Sequence, residues 1–154
     1  MSHFQQNLII NATPAAVYAA LTTPAGLRGW WTEDCDVSTE LRGTIQFRFG
    51  RNNKDMRIEK LDPSREVRWH CTRAHMVAEH LTRKDEWVGT DIVFRLTPEG
   101  EGRTRVRFEH IGLVPELSCY ELCNRGWRYF MPSLKQFVET GCGTPYPIET
   151  AVAA

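Results

Sequence analysis

The sequence predicts an α+β domain in which an antiparallel sheet is covered on one face by a long C-terminal helix. Two observations carry this reading. Successive segments from residue 44 onward alternate apolar and polar side chains with a period of two, and one late segment repeats its apolar residues at helical spacing. A third observation places two short helices before the sheet's main run: a Thr-Pro pair occurs at 13–14 and again at 23–24, and Thr followed by Pro is a helix-start signal.

The elements follow in order. "FQQNLII" puts Phe4, Leu8 and Ile10 on one face, as a first strand does. The helix opened by Thr13-Pro14 carries an inward stripe of Val17, Ala20 and Leu21 and ends near Leu21; the second runs from Pro24 to about Arg28. "GWWTEDC" then returns the chain to extended structure. Four segments, 44–49, 56–61, 66–71 and 90–96, alternate cleanly, and "RTRVRFEHIGL" at 103–113 makes a fifth. Their inner set is Ile45, Phe47, Phe49, Met56, Ile58, Val67, Trp69, Cys71, Ile92, Phe94, Leu96, Val106, Phe108 and His110. Arg48, Arg57, Glu59, Arg68, Asp91 and Arg95 belong to the wet face. One dry and one wet face is the pattern of an antiparallel sheet covered on one side, with hairpins at 51–54, 62–65 and 98–103.

The cover is "PELSCYELCNRGWRYFMPSLKQFVETG", which opens at Pro115 and stops at Gly141. A helix over 116–140 would be about 37 Å long. Its apolar stripe is Tyr120, Cys123, Trp127, Phe130 or Met131, Leu134, and Phe137 or Val138. Gly126 and Pro132 interrupt it, at costs of about 1 and 3 kcal/mol relative to Ala. They read either as a bend that follows the sheet or, at Gly126, as room left for a ligand. Residues 142–154 form a tail rich in turn formers and small residues, with a loose end.

The 154 residues make one domain's length, which hides roughly 70% of the surface its unfolded chain exposes. Nineteen basic and nineteen acidic side chains cancel, which argues against nucleic acid as a partner. No apolar run reaches the roughly 20 residues that span a bilayer, and the N-terminus lacks secretory signal features. With five scattered cysteines and no CxxC pair, the expectation is a cytoplasmic chain with free thiols, no disulfide and no membrane insertion.

The order of strand, two short helices, six antiparallel strands and long helix resembles the helix-grip fold of the START-like, or SRPBCC, superfamily. "TPAAVYAALTTPAGLRGWWT", "EWVGTDIVFRLTPEGEGRTRVRFEHIGL" and "GWRYFMPSLKQFVETGCGTPY" look like bacterial proteins similar to the C-terminal domain of the activator of heat-shock protein 90 ATPase. The resemblance runs from about residue 4 to 147. It implies a curved sheet wrapped around the long helix, with a cavity between them that holds apolar molecules in various relatives. It transfers no catalytic triad, metal motif or cofactor.

The candidate ligand-binding residues are therefore the large inward ones: Trp30, Trp31, Phe47, Phe49, Trp69, Phe94, Phe108, His110, Tyr120, Cys123, Trp127 and Phe130. Each aromatic either fills the core or lines the cavity. His110 has three readings: a core histidine with local hydrogen bonds, a ligand contact, or an acid or base assisted by Tyr120. Cys119 and Cys123, one helical turn apart, would need His70, His75 or His80 to make a metal site; small buried thiols are the simpler reading, and no metal is expected. The segment 72–86 is expected to cap one end of the grip, with Asp85 and Glu86 in solvent. GxSxG, HExxH, P-loop and GxGxxG motifs are missing.

The function expected is binding of a small, mainly apolar ligand by a carrier or sensor. Its rivals are a polyketide cyclase or aromatase-like enzyme in the same cavity and a co-chaperone-like module with a chaperone partner. An open cavity above about 300 Å³ reached by His110 would favour the first two. Homodimer formation stays open.

Overall fold

A computed structural model describes residues 3–78 and 81–147. Its elements are β1 (Phe4–Ile10), α1 (Pro14–Thr22), α2 (Pro24–Trp30), β2 (Asp34–Asp36), β3 (Thr44–Phe49), β4 (Asn52–Asp62), β5 (Glu66–His75), β6 (Asp91–Pro98), β7 (Thr104–Ile111) and α3 (Tyr120–Thr140). The seven strands form one antiparallel sheet in the order β1-β7-β6-β5-β4-β3-β2. This is the helix-grip arrangement: a meander from β2 to β7, with β1 returning beside β7, and α3 across the inner face.

Local chemistry explains the two helices between β1 and β2. The Thr13 hydroxyl accepts the Ala16 N–H at 3.2 Å, and the Thr23 hydroxyl accepts that of Gly26 at 3.1 Å. The helices meet closely at Gly26, where a Cβ would lie 2.5 Å from the Ala20 carbonyl oxygen. That oxygen also accepts the indole N–H of Trp30 at 2.9 Å, so the sharp corner delivers Trp30 and Trp31 to the core.

Every apolar side chain of the inner row is buried, from Ile45 on β3 to Phe108 on β7. The outer face carries ion pairs between Arg68 and Asp91, Arg95 and Glu109, and Arg105 and Glu99. Partly exposed pairs of this kind contribute little stability each.

Three boundaries differ from the sequence reading. First, β4 starts at Asn52 and β5 runs on to His75, so Lys54 stands in register with Phe47 on one side and Ala74 on the other, not in a hairpin turn. "NNKD" has no apolar residue to announce a strand, and pairing with both neighbours overrides its turn-like composition. Second, α2 continues to Trp30 rather than stopping near Arg28. Third, α3 begins at Tyr120 instead of 116 and is about 31 Å long. Glu86 causes that delay: its carboxylate accepts the Ser118 and Cys119 N–H groups at 3.0 Å each and the Ser118 hydroxyl as well, anchoring the approach to the helix. Glu86 is thus a half-buried tether and not a solvated side chain. Burial alone would raise its pKa, but these hydrogen bonds prevail and hold it below the usual carboxylate range.

α3 runs unbroken through Gly126 and Pro132, with Cys123, Trp127, Met131, Ser133 and Leu134 buried. It ends at Gly141, whose φ of +87° suits glycine and whose N–H reaches the Phe137 carbonyl at 2.7 Å. The tail then doubles back. Tyr146 N–H donates to the Trp31 carbonyl at 2.8 Å and its own carbonyl accepts from Glu33 at 2.9 Å, pinning the segment as far as 147 to the corner after α2. Residues 148–154, where a loose end was expected, lie outside the described residues, as does His80.

Candidate functional site

The space between sheet and α3 divides into a solid half and an open half. In the solid half Trp31 stacks between Trp30 and Trp69, with ring centroids 5.6 and 6.0 Å away and planes within 7°. Phe47, Phe94 and Phe108 fill the remainder, Phe108 lying 4.5 Å from Trp127. Trp30, Phe47, Trp69, Phe94 and Phe108 are all at most 1% exposed and belong to this packing.

The open half lies toward the β3–β4 turn. A cavity of about 220 Å³ is lined by Trp31, Phe49, Asn52, Lys54, Met76, Trp87, Leu122, Cys123, Gly126, Trp127, Phe130 and Tyr146. Five of the sequence candidates therefore meet there: Trp31, Phe49, Cys123, Trp127 and Phe130. Gly126 sits in its wall, where a Cβ would meet nothing within 4 Å. Met76 and Trp87, on either side of the connection between β5 and β6, line the cavity as well, Met76 within the 72–86 segment expected to cap one end of the grip. Leu122, Gly126, Phe130 and Tyr146 also border an adjoining surface depression of about 520 Å³.

His110 does not reach the cavity. Its Nδ1 accepts the Trp127 indole N–H at 3.0 Å, which leaves the ring proton on Nε2, 2.9 Å from the Thr90 hydroxyl; Thr90 donates onward to the Trp87 carbonyl at 2.6 Å. Burial, then the charges of Lys54 and His3, push its pKa down to about 3. Its geometry is that of a core histidine with both nitrogens occupied. Tyr120 is half-buried on the first turn of α3 and does not line the cavity either.

Sequence reasoning did not single out Asn52, Lys54, Met76, Trp87, Leu122 or Tyr146 as lining residues, and Lys54 is the charged one among them. It is only 8% exposed, and its Nζ lies 4.6 Å from the Phe49 ring centroid and 4.3 Å from that of Trp87. Among the described residues no carboxylate pairs with it. Burial lowers its pKa, and the nearby thiols Cys123, Cys71 and Cys119 oppose that shift without cancelling it. Contacts to ring faces offset about 2 kcal/mol each when desolvated, against a burial cost of several kcal/mol for an unpaired ion. The signal was present: stepping back by twos along β4 from Ile58 through Met56 reaches Lys54.

Cys123 faces the same space. The Trp87 indole N–H donates to its sulfur at 3.0 Å. A hydrogen bond from Cys119 holds its pKa below the ordinary thiol value, against burial and aided by Lys54 and Trp87. The cysteines Cys35, Cys71, Cys119 and Cys123 are buried free thiols, and Cys142 is exposed. Of the metal helpers weighed beside Cys119 and Cys123, His70 pairs with Asp91 on the outer face and His75 stands exposed on β5. Among the described residues no three His, Cys, Asp or Glu side chains gather as a metal site would require. No helix among them is long and apolar enough to cross a membrane.

A curved antiparallel sheet gripping one long helix, with a cavity at one end, defines a START-like, helix-grip protein. Within that class the chain belongs to the Activator of Hsp90 ATPase homolog 1-like protein family, whose profile matches residues 11–139. It is similar to the Aha1 dimer from Colwellia psychrerythraea, at 34% identity over 93% of this chain and 100% of that one, with a TM-score of 0.76. MLL2253 from Mesorhizobium loti shares the fold at 20% identity, covering 89% of this chain and 96% of its own, with a TM-score of 0.73. CalU16 from Micromonospora echinospora does so at 18% identity, 92% and 76% coverage, and a TM-score of 0.67. No curated protein matches this chain.

Proposed function

We propose that the protein, acting as one domain, binds a small, mainly apolar ligand in the cavity between β3, β4 and α3, as a carrier or sensor. The carrying observation is the cavity itself: about 220 Å³ walled by Trp31, Phe49, Trp87 and Trp127. An apolar cavity of about 150 Å³ accepts benzene, so this one suits a single substituted ring or a short chain. It lies below the 300–1,000 Å³ typical for larger ligands, and it meets neither part of the criterion set from the sequence, an open cavity above about 300 Å³ reached by His110. Burial at roughly 25 cal/mol per Å² supplies the affinity. The cyclase-like alternative loses support because His110, its proposed acid or base, is enclosed by Trp127 and Thr90. The co-chaperone alternative draws only on the family's name. That the Colwellia psychrerythraea relative is a dimer supports a homodimer here.

The test is a titration with 3-phenylpropanamide followed through the indole N–H signals in a two-dimensional NMR spectrum. Shifts are expected for Trp31, Trp87 and Trp127, smaller ones for Trp30 and Trp69, and none in a folded Gly126→Leu variant whose side chain occupies the cavity. An unchanged wild-type spectrum, with this amide and with 3-phenylpropanoate alike, would contradict the proposal.

A further inference from the structure

Resting on that ligand-binding reading, we infer that the ligand is an apolar molecule bearing a single carboxylate, which pairs with Lys54 Nζ while its body lies between the Trp87, Trp127 and Phe49 rings. The charge of Lys54 and its contacts do not balance. Lys54 points from the inner face of β4 into the cavity, 8% exposed, with two ring faces as its contacts and no carboxylate partner among the described residues. Ring faces meet part of an ammonium's charge but accept none of its three N–H bonds as an oxygen would.

Of the polar groups that line the cavity with it, neither Asn52 nor Cys123 forms a hydrogen bond with Lys54. The Asn52 side-chain oxygen is directed at the Val77 N–H, which it accepts at 2.7 Å. Cys123 is the internal competitor, but its sulfur already accepts the Trp87 indole N–H at 3.0 Å. What is lacking is a compact acceptor with one negative charge, and the apolar walls leave room for it only at the end of an apolar body. One ammonium, without an arginine beside it, suits a carboxylate better than a doubly charged phosphate.

The experiment compares 3-phenylpropanoate with its isosteric amide on the wild-type chain and on Lys54→Met, which keeps the buried stem and removes the charge. In the wild type the carboxylate should bind about tenfold or more tighter than the amide. In Lys54→Met the amide should bind as before and the preference should fall to about onefold. Equal binding of both compounds to the wild type, or a preference that survives in Lys54→Met, overturns this inference and leaves the ligand-binding reading standing. Binding of neither compound overturns both. Should Lys54→Met fail to fold, Lys54→Gln carries the same comparison.

Discussion

His110 is held between two partners that fix its proton. Trp127 donates to Nδ1, so Nε2 carries the hydrogen, and a second proton would set two donors against each other. The unfolded chain takes up that proton near the ordinary pKa of 6.5, whereas the folded chain resists to about 3. The unfolded state thus binds more protons in this window. Stability from the neutral ring is complete above about pH 6.5 and is lost as pH falls toward 3. His110→Gln keeps one acceptor and one donor but does not titrate. Urea unfolding should show the variant gaining on the wild type by on the order of 3 kcal/mol between pH 7 and pH 4; a constant difference would count against this. The alternation that revealed His110 on β7 did not reveal Lys54 on β4. Period-two reading recognises an inward position by its apolar residue, and a buried ammonium gives the opposite signal. The identity of His110's partners was illegible for another reason: Thr90 and Trp127 lie 20 and 17 residues away, and only the assembled fold brings them together.

In α3 the two helix-breaking residues differ in consequence. Pro132 sits among Met131, Ser133 and Leu134, whose burial offsets its cost. Gly126 faces the cavity, and a methyl group added there meets no atom within 4 Å. Gly126→Ala should therefore raise stability by up to about 1 kcal/mol through helix propensity, measured by thermal or denaturant unfolding, while narrowing the cavity. Destabilisation would mean that the helix needs glycine for its backbone. Helix α3's apolar stripe and its Gly141 end were readable because both are local. Its start was not, since "PELSC" is compatible with a first turn and only Glu86, more than thirty residues earlier, takes up those N–H groups. The hairpin at 62–65 was legible from turn chemistry; the extensions of β4 and β5 depended on each other and were not.

A sheet of seven strands closes on α3 at the α2 end and stays apart from it at the other. Trp30 and Trp31 are the reason for the closed half: the α1–α2 corner drives both into the gap, where Trp31 stacks between Trp30 and Trp69. The fold class was legible throughout, because one wet face, one dry face and one long amphipathic helix leave few arrangements. The cavity was legible only as a consequence of resemblance, since equally large aromatics fill one half and line the other, and the difference is set by packing. The proposed function rests on this open end, with Lys54 at its wall. Intermolecular nuclear Overhauser effects with bound 3-phenylpropanoate test it most directly. Contacts from the ligand's ring to Trp87, Trp127 and the Gly126 α-protons, with none to His110 or Phe94, are predicted. Contacts confined to the outer surface around Tyr129, or to the closed aromatic half, would contradict it.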